Sequence, residues 1–227
     1  MKILDTFTEL EARKKRYEYY RDNLLISGGG KSVCKLGNMA KNLDSKRKPV
    51  TRSARKSGNI PYYGASGIVD HVSDYIFDGN YLLVSEDGAN LLARKTPIAF
   101  SITGKTWVNN HAHILQFESA VAQRFVEIYL NSIDLSSYIS GAAQPKLNQE
   151  NLNKIEIPLP SLPEQERIVA ILDKFDALVN DISDGLPAEL NARRKQYKYY
   201  RGKLLTFKHS PPLEGCQSKI DGVVGVG

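Results

Sequence analysis

The sequence predicts an α+β protein in which one globular domain lies between two long helices that pair lengthwise. Two observations predict the helices: apolar residues recur every three to four positions over residues 164–207, and much of this stretch is repeated near the N-terminus. A third observation predicts the domain. From about Val33 to Pro160, short runs of β-branched and aromatic residues alternate with turn residues.

The C-terminal helix is marked by its own sequence. Ser161 and Glu164 have the spacing of a capping box, and Pro163 fits the first turn. Lysines and arginines cluster near its far end, where positive charge stabilises the helix dipole. Gly185 and Pro187 predict a break in the middle. At 1.5 Å per residue the stretch is roughly 60 Å long, so its apolar stripe needs a second helix.

The second helix is predicted by the repeat. Residues 9–25, ELEARKKRYEYYRDNLL, match residues 189–205, ELNARRKQYKYYRGKLL, at most positions, including three tyrosines. Two distant copies do not make a solenoid, so we expect two helices that pack along each other. The repeat also favours packing over base stacking for the tyrosines. The residues predicted to form the helical interface are Phe7, Leu10, Tyr17, Tyr20, Leu24, Ile168, Leu172, Phe175, Leu178, Val179, Leu190, Tyr197, Tyr200 and Leu204.

The pattern divides the chain into four parts. They are an N-terminal helix over residues 1–26, the α+β domain over 32–160, the long helix over 161–207 with its break near 185–187, and a tail over 208–227 that we expect to be disordered. Within the domain we expect strands at 60–63, 75–77, 81–84, 98–102, 113–117 and 155–157, and helical segments at 118–131, 133–138 and 148–154.

Composition excludes several classes of protein. Two cysteines without ligand spacing predict neither a disulfide framework nor a metal site, which favours the reducing cytoplasm. His111 and His113 alternate as on a strand and lack further ligands at metal-site spacing. No stretch is apolar enough to span a membrane. The net charge of +6 favours an acidic partner, of which nucleic acid is the commonest.

The densest basic run lies between residues 41 and 56 and can follow phosphates or form a solvated, flexible loop. Loops farther along carry side chains of types that read bases or contact phosphates. The predicted DNA-binding residues are Lys41, Lys46, Arg47, Lys48, Arg52, Arg55 and Lys56 in the basic run, with Lys105, Asn109, Asn110, His111, Gln144 and Lys146 beyond it.

Four segments carry a resemblance to a known family: ILDKFDAL, ELNARRKQYKYYRGKLL, IPLPSLPEQERIV and SGAAQPKLNQENLNKI. Together they resemble the specificity subunit of type I restriction-modification enzymes, over residues 1–207. The resemblance implies a target recognition domain that reads one half of a split site in double-stranded DNA. It implies helices paired as an antiparallel coiled coil, which dock the modification (methyltransferase) and restriction subunits. It also implies no catalytic activity and no cofactor in this chain.

The sequence departs from that plan. It has one target recognition domain, a shortened first helical region, and Cys34 where such domains often carry tryptophan. We therefore expect a half-length subunit, natural or truncated. Self-association through the helices would restore two domains and an inverted-repeat target, since like chains usually close as cyclic dimers. The alternative is a monomer with a single short target.

DNA recognition has two alternatives, an enzyme that acts on DNA itself and a coiled-coil adaptor that binds only proteins. A methyltransferase needs a glycine-rich turn after a strand and an Asn/Asp-Pro-Pro-aromatic run, and neither is present. A nuclease needs clustered acids with a lysine, and Lys95 is too far from Glu86 and Asp87 to complete one. A coiled-coil adaptor that binds only proteins would not need the basic run or a full α+β domain.

Overall fold

The structure, a computed structural model, describes residues 12, 15–25, 32–93, 96–141, 144–180 and 186–205. Predictions for Phe7, Leu10, Gly185 and the tail lie outside these residues. Residues 15–25 form the first described helix, α1, as predicted.

The elements that follow alternate short strands with helices, which confirms the α+β class. In chain order they are β1 (Val33–Lys35), α2 (Leu36–Met39), β2 (Lys41–Asn42), β3 (Ser57–Gly64), β4 (Gly67–Val72), β5 (Phe77–Ser85), α3 (Gly88–Ala93), β6 (Ala99–Val108), β7 (Ala112–Gln116), α4 (Ala120–Ser132), α5 (Gln149–Lys154), β8 (Glu156–Pro158), α6 (Leu162–Asn180) and α7 (Leu186–Leu205). Single 3-10 turns occur at Asp44–Lys46, Arg52–Ala54 and Ser136–Tyr138.

Six strands form the main sheet in the order β2-β7-β5-β6-β3-β4. Neighbouring strands are antiparallel except β3 and β6, which pair in parallel through Tyr62 with Trp107 and Tyr63 with Val108. Strands β1 and β8 form a separate antiparallel pair that joins the start of the domain to its end.

Strand β5 separates two apolar cores. Because successive side chains of a strand point to opposite faces, Leu82 and Val84 enter one core while Leu83 enters the other. The first core is covered by α4, whose Phe125 is fully buried there. Ser119 caps α4, its hydroxyl accepting a hydrogen bond from the backbone N–H of Ala122 at 3.4 Å.

Helices α1 and α6 pack on the same core. Leu25 of α1 and Ile168 and Leu172 of α6 are buried in it. The ring of Tyr17 lies 6.2 Å from that of Phe175, centroid to centroid. The apolar stripe of the repeated helices therefore packs partly against the globular domain, and not only against another helix.

Helix α7 contrasts with α6, because its side chains at residues 191–203 are all exposed. Tyr197 is 45% exposed and Tyr200 is 52% exposed. Among the described residues, nothing covers Tyr197 and Tyr200 of the second copy of the repeat. Among the described residues no helix is long and apolar enough to cross a membrane.

Candidate nucleic-acid interface

The basic loop, residues 46–56, is anchored on the face of strands β3 and β6. The indole N–H of Trp107 donates to the carbonyl of Lys48 at 2.7 Å. The backbone N–H of Val50 donates to the hydroxyl of Tyr62 at 3.0 Å, and the two aromatic rings stack with centroids 6.5 Å apart. These anchors favour an ordered loop over the solvated, flexible one.

Arg55 closes the far end of the basic loop. Its guanidinium donates to the carbonyl of Val50 at 3.0 Å and to the carboxylate of Asp70 at 2.9 Å, and its Cζ lies 4.3 Å from the Tyr62 ring centroid. The hydrogen bond from Arg55 lowers the pKa of Asp70. Arg55, predicted as a DNA contact, therefore already has partners inside the fold.

Arg47 is held at the other end of the loop. Its Nη1 donates to the carbonyl of Ala112 at 2.7 Å and to Glu86 at 3.0 Å, and its side chain is only 13% exposed. Its Nη2 lies 3.4 Å from Asp44. The structure thus gives Arg47 a role in fixing the loop.

Removing these two arginines from the predicted set leaves four cations of the loop exposed. This set, called the basic row below, consists of Lys46, Lys48, Arg52 and Lys56. Because the loop is fixed from beneath, the four charges are presented on one ordered segment. Such an arrangement suits the regularly spaced phosphates of a nucleic acid.

Asp44, the one acid in the predicted basic run, forms a buried pair with His113. Its Oδ2 lies 2.5 Å from His113 Nδ1, and its Oδ1 accepts the backbone N–H of Ile114 at 2.9 Å. His113 Nε2 lies 2.7 Å from the carbonyl of Leu147. Both ring nitrogens of His113 therefore face oxygen atoms inside the domain.

The pKa of Asp44 reflects opposing effects. Burial alone would raise this pKa, but the hydrogen bond and positive charge of His113, the Ile114 N–H and the charge of Arg47 together lower it. The carboxylate therefore stays ionised inside the domain and locks the start of the basic loop to β7.

A second acid, Glu86, joins the loop to a more distant segment. It accepts from Arg47 on one side, and its Oε1 lies 3.4 Å from Lys146 Nζ on the other. The next residue, Asp87, lies 3.3 Å from His111 Nδ1. Lys146 and His111, both predicted DNA contacts, are thus gathered around this acidic pair.

The remaining candidates differ in exposure. Asn109 is buried, and its Oδ1 accepts the backbone N–H of His111 at 2.8 Å, so it shapes the turn between β6 and β7. Lys105 Nζ lies 4.6 Å from the Tyr75 ring centroid. Lys41, Lys105, Asn110, His111 and Gln144 are exposed.

Sequence reasoning missed the groups that fix this surface. Trp107, Tyr62 and Asp44 were not among the predicted DNA-binding residues. The available signal was Asp44 itself, the one acid among the seven cations of residues 41–56.

The predicted helical interface divides into buried and exposed members. Ile168 and Leu172 are buried, Leu24 and Tyr17 pack at the edge of the core, and Phe175 is 40% exposed. Tyr20, Tyr197 and Tyr200 are exposed. The structure does not describe the side chains of Leu178, Val179, Leu190 and Leu204.

The family model and the similar proteins all point to the same family. Residues 29–192 match the family described as type I restriction modification DNA specificity domain. A putative type I restriction enzyme specificity subunit of Haemophilus influenzae is 38% identical over 187 residues, which are 81% of this chain and 48% of that protein. A putative type I specificity subunit of Mycoplasma pneumoniae is 31% identical over 228 residues, 90% of each. The chain therefore spans about half of the first relative and nearly all of the second.

Solved structures show the same fold. The S subunit of a type I restriction-modification system from M. genitalium superposes with a TM-score of 0.55 at 15% identity, covering 89% of this chain and 55% of that one. The HsdS subunit from Thermoanaerobacter tengcongensis gives a TM-score of 0.51 at 14% identity, with 89% and 55% coverage. The relatives that match are described as specificity subunits, which confirms the predicted family resemblance. The chain belongs to the type I restriction modification DNA specificity domain family.

Proposed function

We propose that this chain is the DNA-recognition subunit of a type I restriction-modification complex in the cytoplasm. It reads one half of a split site in double-stranded DNA and has no catalytic activity or cofactor of its own. The observation that carries the proposal is the basic row, four exposed cations on a loop that Trp107, Tyr62, Arg47 and Arg55 hold against the sheet.

An anchored loop suits this role for a physical reason. A flexible loop would lose conformational entropy when it bound, roughly 1–2 kcal/mol for each ordered backbone residue. Here the loop is already ordered in the fold. Less of the free energy gained from phosphate contacts is therefore lost to ordering the loop on binding. Arg47 and Arg55 contribute by holding the loop, and the basic row contributes by contacting DNA.

The exposed face of α7 is proposed to bind a protein partner. Tyr199 is 58% exposed, beside the exposed Tyr200 and Tyr197. Aromatic residues are enriched where interfaces are buried, and α7 repeats a sequence that is partly packed in α1. We assign this face to the modification subunit or to a second copy of the chain, joined as an antiparallel coiled coil.

Replacing Tyr199 and Tyr200 by glutamate is expected to reduce co-purification with the modification subunit at least about tenfold, since two apolar anchors would become charged. Because both side chains are exposed, the domain should still fold. The matched control is Leu92→Glu, which charges a 57% exposed side chain on α3 and should leave co-purification intact. Normal recovery of the complex with the double variant would place the docking surface elsewhere.

The proposal as a whole is tested by sequencing methylated DNA from cells that carry this chain with its modification subunit. A split motif is expected, with two specified parts around an unspecified spacer. If two copies pair through their helices, the motif is an inverted repeat. A motif without two-fold symmetry, or one copy per complex in sedimentation, would contradict self-pairing. Absence of any motif-dependent methylation would contradict DNA recognition.

A further inference from the structure

Strands β3 and β4 form a hairpin, called the ribbon below, at the edge of the main sheet. Its inner strand β3 also pairs with β6, at Tyr62 and Tyr63, whereas β4 pairs with β3 alone among the described strands. The tip contains small residues, Gly64, Ala65, Ser66 and Gly67, and Gly67 adopts a φ of +124° that favours glycine. Gly64 and Ala65 are buried, so the free side of the ribbon is the β4 edge.

Behind the tip, a β-bulge brings two apolar side chains to the surface. Tyr62 pairs with Asp70 and Tyr63 pairs with Ile68, so Val69 has no partner across the ladder. A bulge redirects side chains and is common beside functional sites. Ile68 is 52% exposed and Val69 is 56% exposed. Neighbouring β-branched residues are thus presented together to solvent.

The surroundings of this apolar pair are basic. Arg55 bonds to Asp70, which follows Val69, and the charge of Arg52 also acts on Asp70. The carbonyl of Lys56 accepts the backbone N–H of Ser73 at 2.9 Å, so the end of the basic loop lies beside the end of β4. Cations of the basic row therefore flank the ribbon.

The turn between β6 and β7 lies on the other side of the tip. A Cβ placed on Gly64 would meet Val69 Cγ1 at 2.9 Å and Asn109 Nδ2 at 3.4 Å, so all three residues converge. The exposed Asn110 and His111 follow Asn109 directly. The apolar pair is thus surrounded by groups that bind phosphates or base edges.

We propose that the free β4 edge of the ribbon faces the major groove of DNA and that Ile68 and Val69 contact the C5-methyl groups of thymine. Thymine is the one base that presents a methyl group in the major groove, where apolar side chains contact it. The flanking cations favour DNA over a protein partner as the occupant. This inference rests on the proposed function, and it adds the element that reads bases and the base it reads.

The test uses the complex of the full chain with its modification subunit and a duplex that contains the methylated motif. Each thymine of the motif is replaced in turn by uracil, which lacks only the methyl group. For the unaltered chain, uracil at one or two positions is expected to weaken binding about fourfold, the loss for one buried methyl group. For Ile68→Ser with Val69→Ser, which removes the apolar groups, binding is weaker and no longer sensitive to uracil at those positions.

The serine variant removes apolar groups and no charge, so the salt dependence of binding should not change. The control Val33→Ser alters a 60% exposed valine of β1 and should preserve uracil sensitivity. If the double variant does not fold, Val69→Ser alone is used in its place. Uracil sensitivity that persists in the variant overturns the inference, as does a wild-type complex sensitive at no thymine. Loss of co-purification with intact DNA binding also overturns it. A wild-type complex that does not distinguish its motif contradicts the proposed function itself.

Discussion

Asp44→Asn is expected to lower the free energy of unfolding by about 3–5 kcal/mol at neutral pH, the usual cost of breaking a buried ion pair by removing one partner. The substitution keeps the shape of the side chain but replaces the buried carboxylate beside His113 by a neutral amide. It also removes the negative charge opposite Arg47. Urea denaturation of the chain at pH 7 measures the effect. A difference below about 1 kcal/mol would show that the pair contributes little.

The wild type and Asp44→Asn differ in their free energy of unfolding by an amount that depends on pH, because the pKa of Asp44 is lowered in the folded state. A carboxyl whose pKa is lower in the folded state stabilises the protein fully above its unfolded pKa, about 3.9. The stabilisation is lost as the pH falls through the lower folded value. The gap between the wild type and Asp44→Asn should therefore narrow below about pH 4.

The control for this experiment is Asp78→Asn. Asp78 is an exposed aspartate near the start of β5, and its substitution should change stability by less than about 0.5 kcal/mol. If the free energies of unfolding of the wild type and Asp44→Asn differed by the same amount at pH 7 and pH 3, the ion-pair explanation would be contradicted and a packing effect indicated.

Replacing the whole basic row, Lys46, Lys48, Arg52 and Lys56, by alanine is expected to abolish most of the DNA affinity at physiological salt. Each phosphate contact contributes about 0.9 to the slope of log affinity against log salt concentration. Losing four contacts should reduce that slope by about 3 to 4. Titration of the complex with duplex DNA at several salt concentrations measures it.

A matched control removes the same charge from other surfaces. Lys15, Lys35, Lys154 and Lys174 are exposed and lie on α1, β1, α5 and α6. Their replacement by alanine keeps the net charge equal to that of the first variant. If both variants lower the slope equally, the effect is one of total charge and the basic row has no special role. An unchanged slope in the basic-row variant would exclude the loop from the DNA contact.

Much of the fold was predictable from patterns of neighbouring residues in the sequence. Strands around Ile60–Tyr63, Tyr81–Val84 and His113–Gln116 were predicted from short apolar runs. Helix α6 begins at Leu162, directly after the predicted cap Ser161, whose carbonyl accepts the backbone N–H of Glu164 at 3.0 Å. These features depend on neighbouring residues alone, which is why periodicity and capping rules find them.

Strand β4 was missed because its sequence, GIVDHV, contains a bulge and exposes apolar side chains. Alternation of apolar and polar residues predicts a strand only when one face is buried and the other wet. The predicted strand at Tyr75–Phe77 was wrong for its first two residues, since β5 begins at Phe77 and continues to Ser85.

The amino-acid sequence by itself determined the α+β class, the repeated helices, the family resemblance and the presence of a basic segment. Only the tertiary structure decided which of its cations face solvent. Arg47 meets Glu86, 39 residues away, and Asp44 meets His113, 69 residues away. The sequence treats the seven cations of the run alike because charge is a property of each residue. Whether a charge is paired depends on which distant strand folds against it.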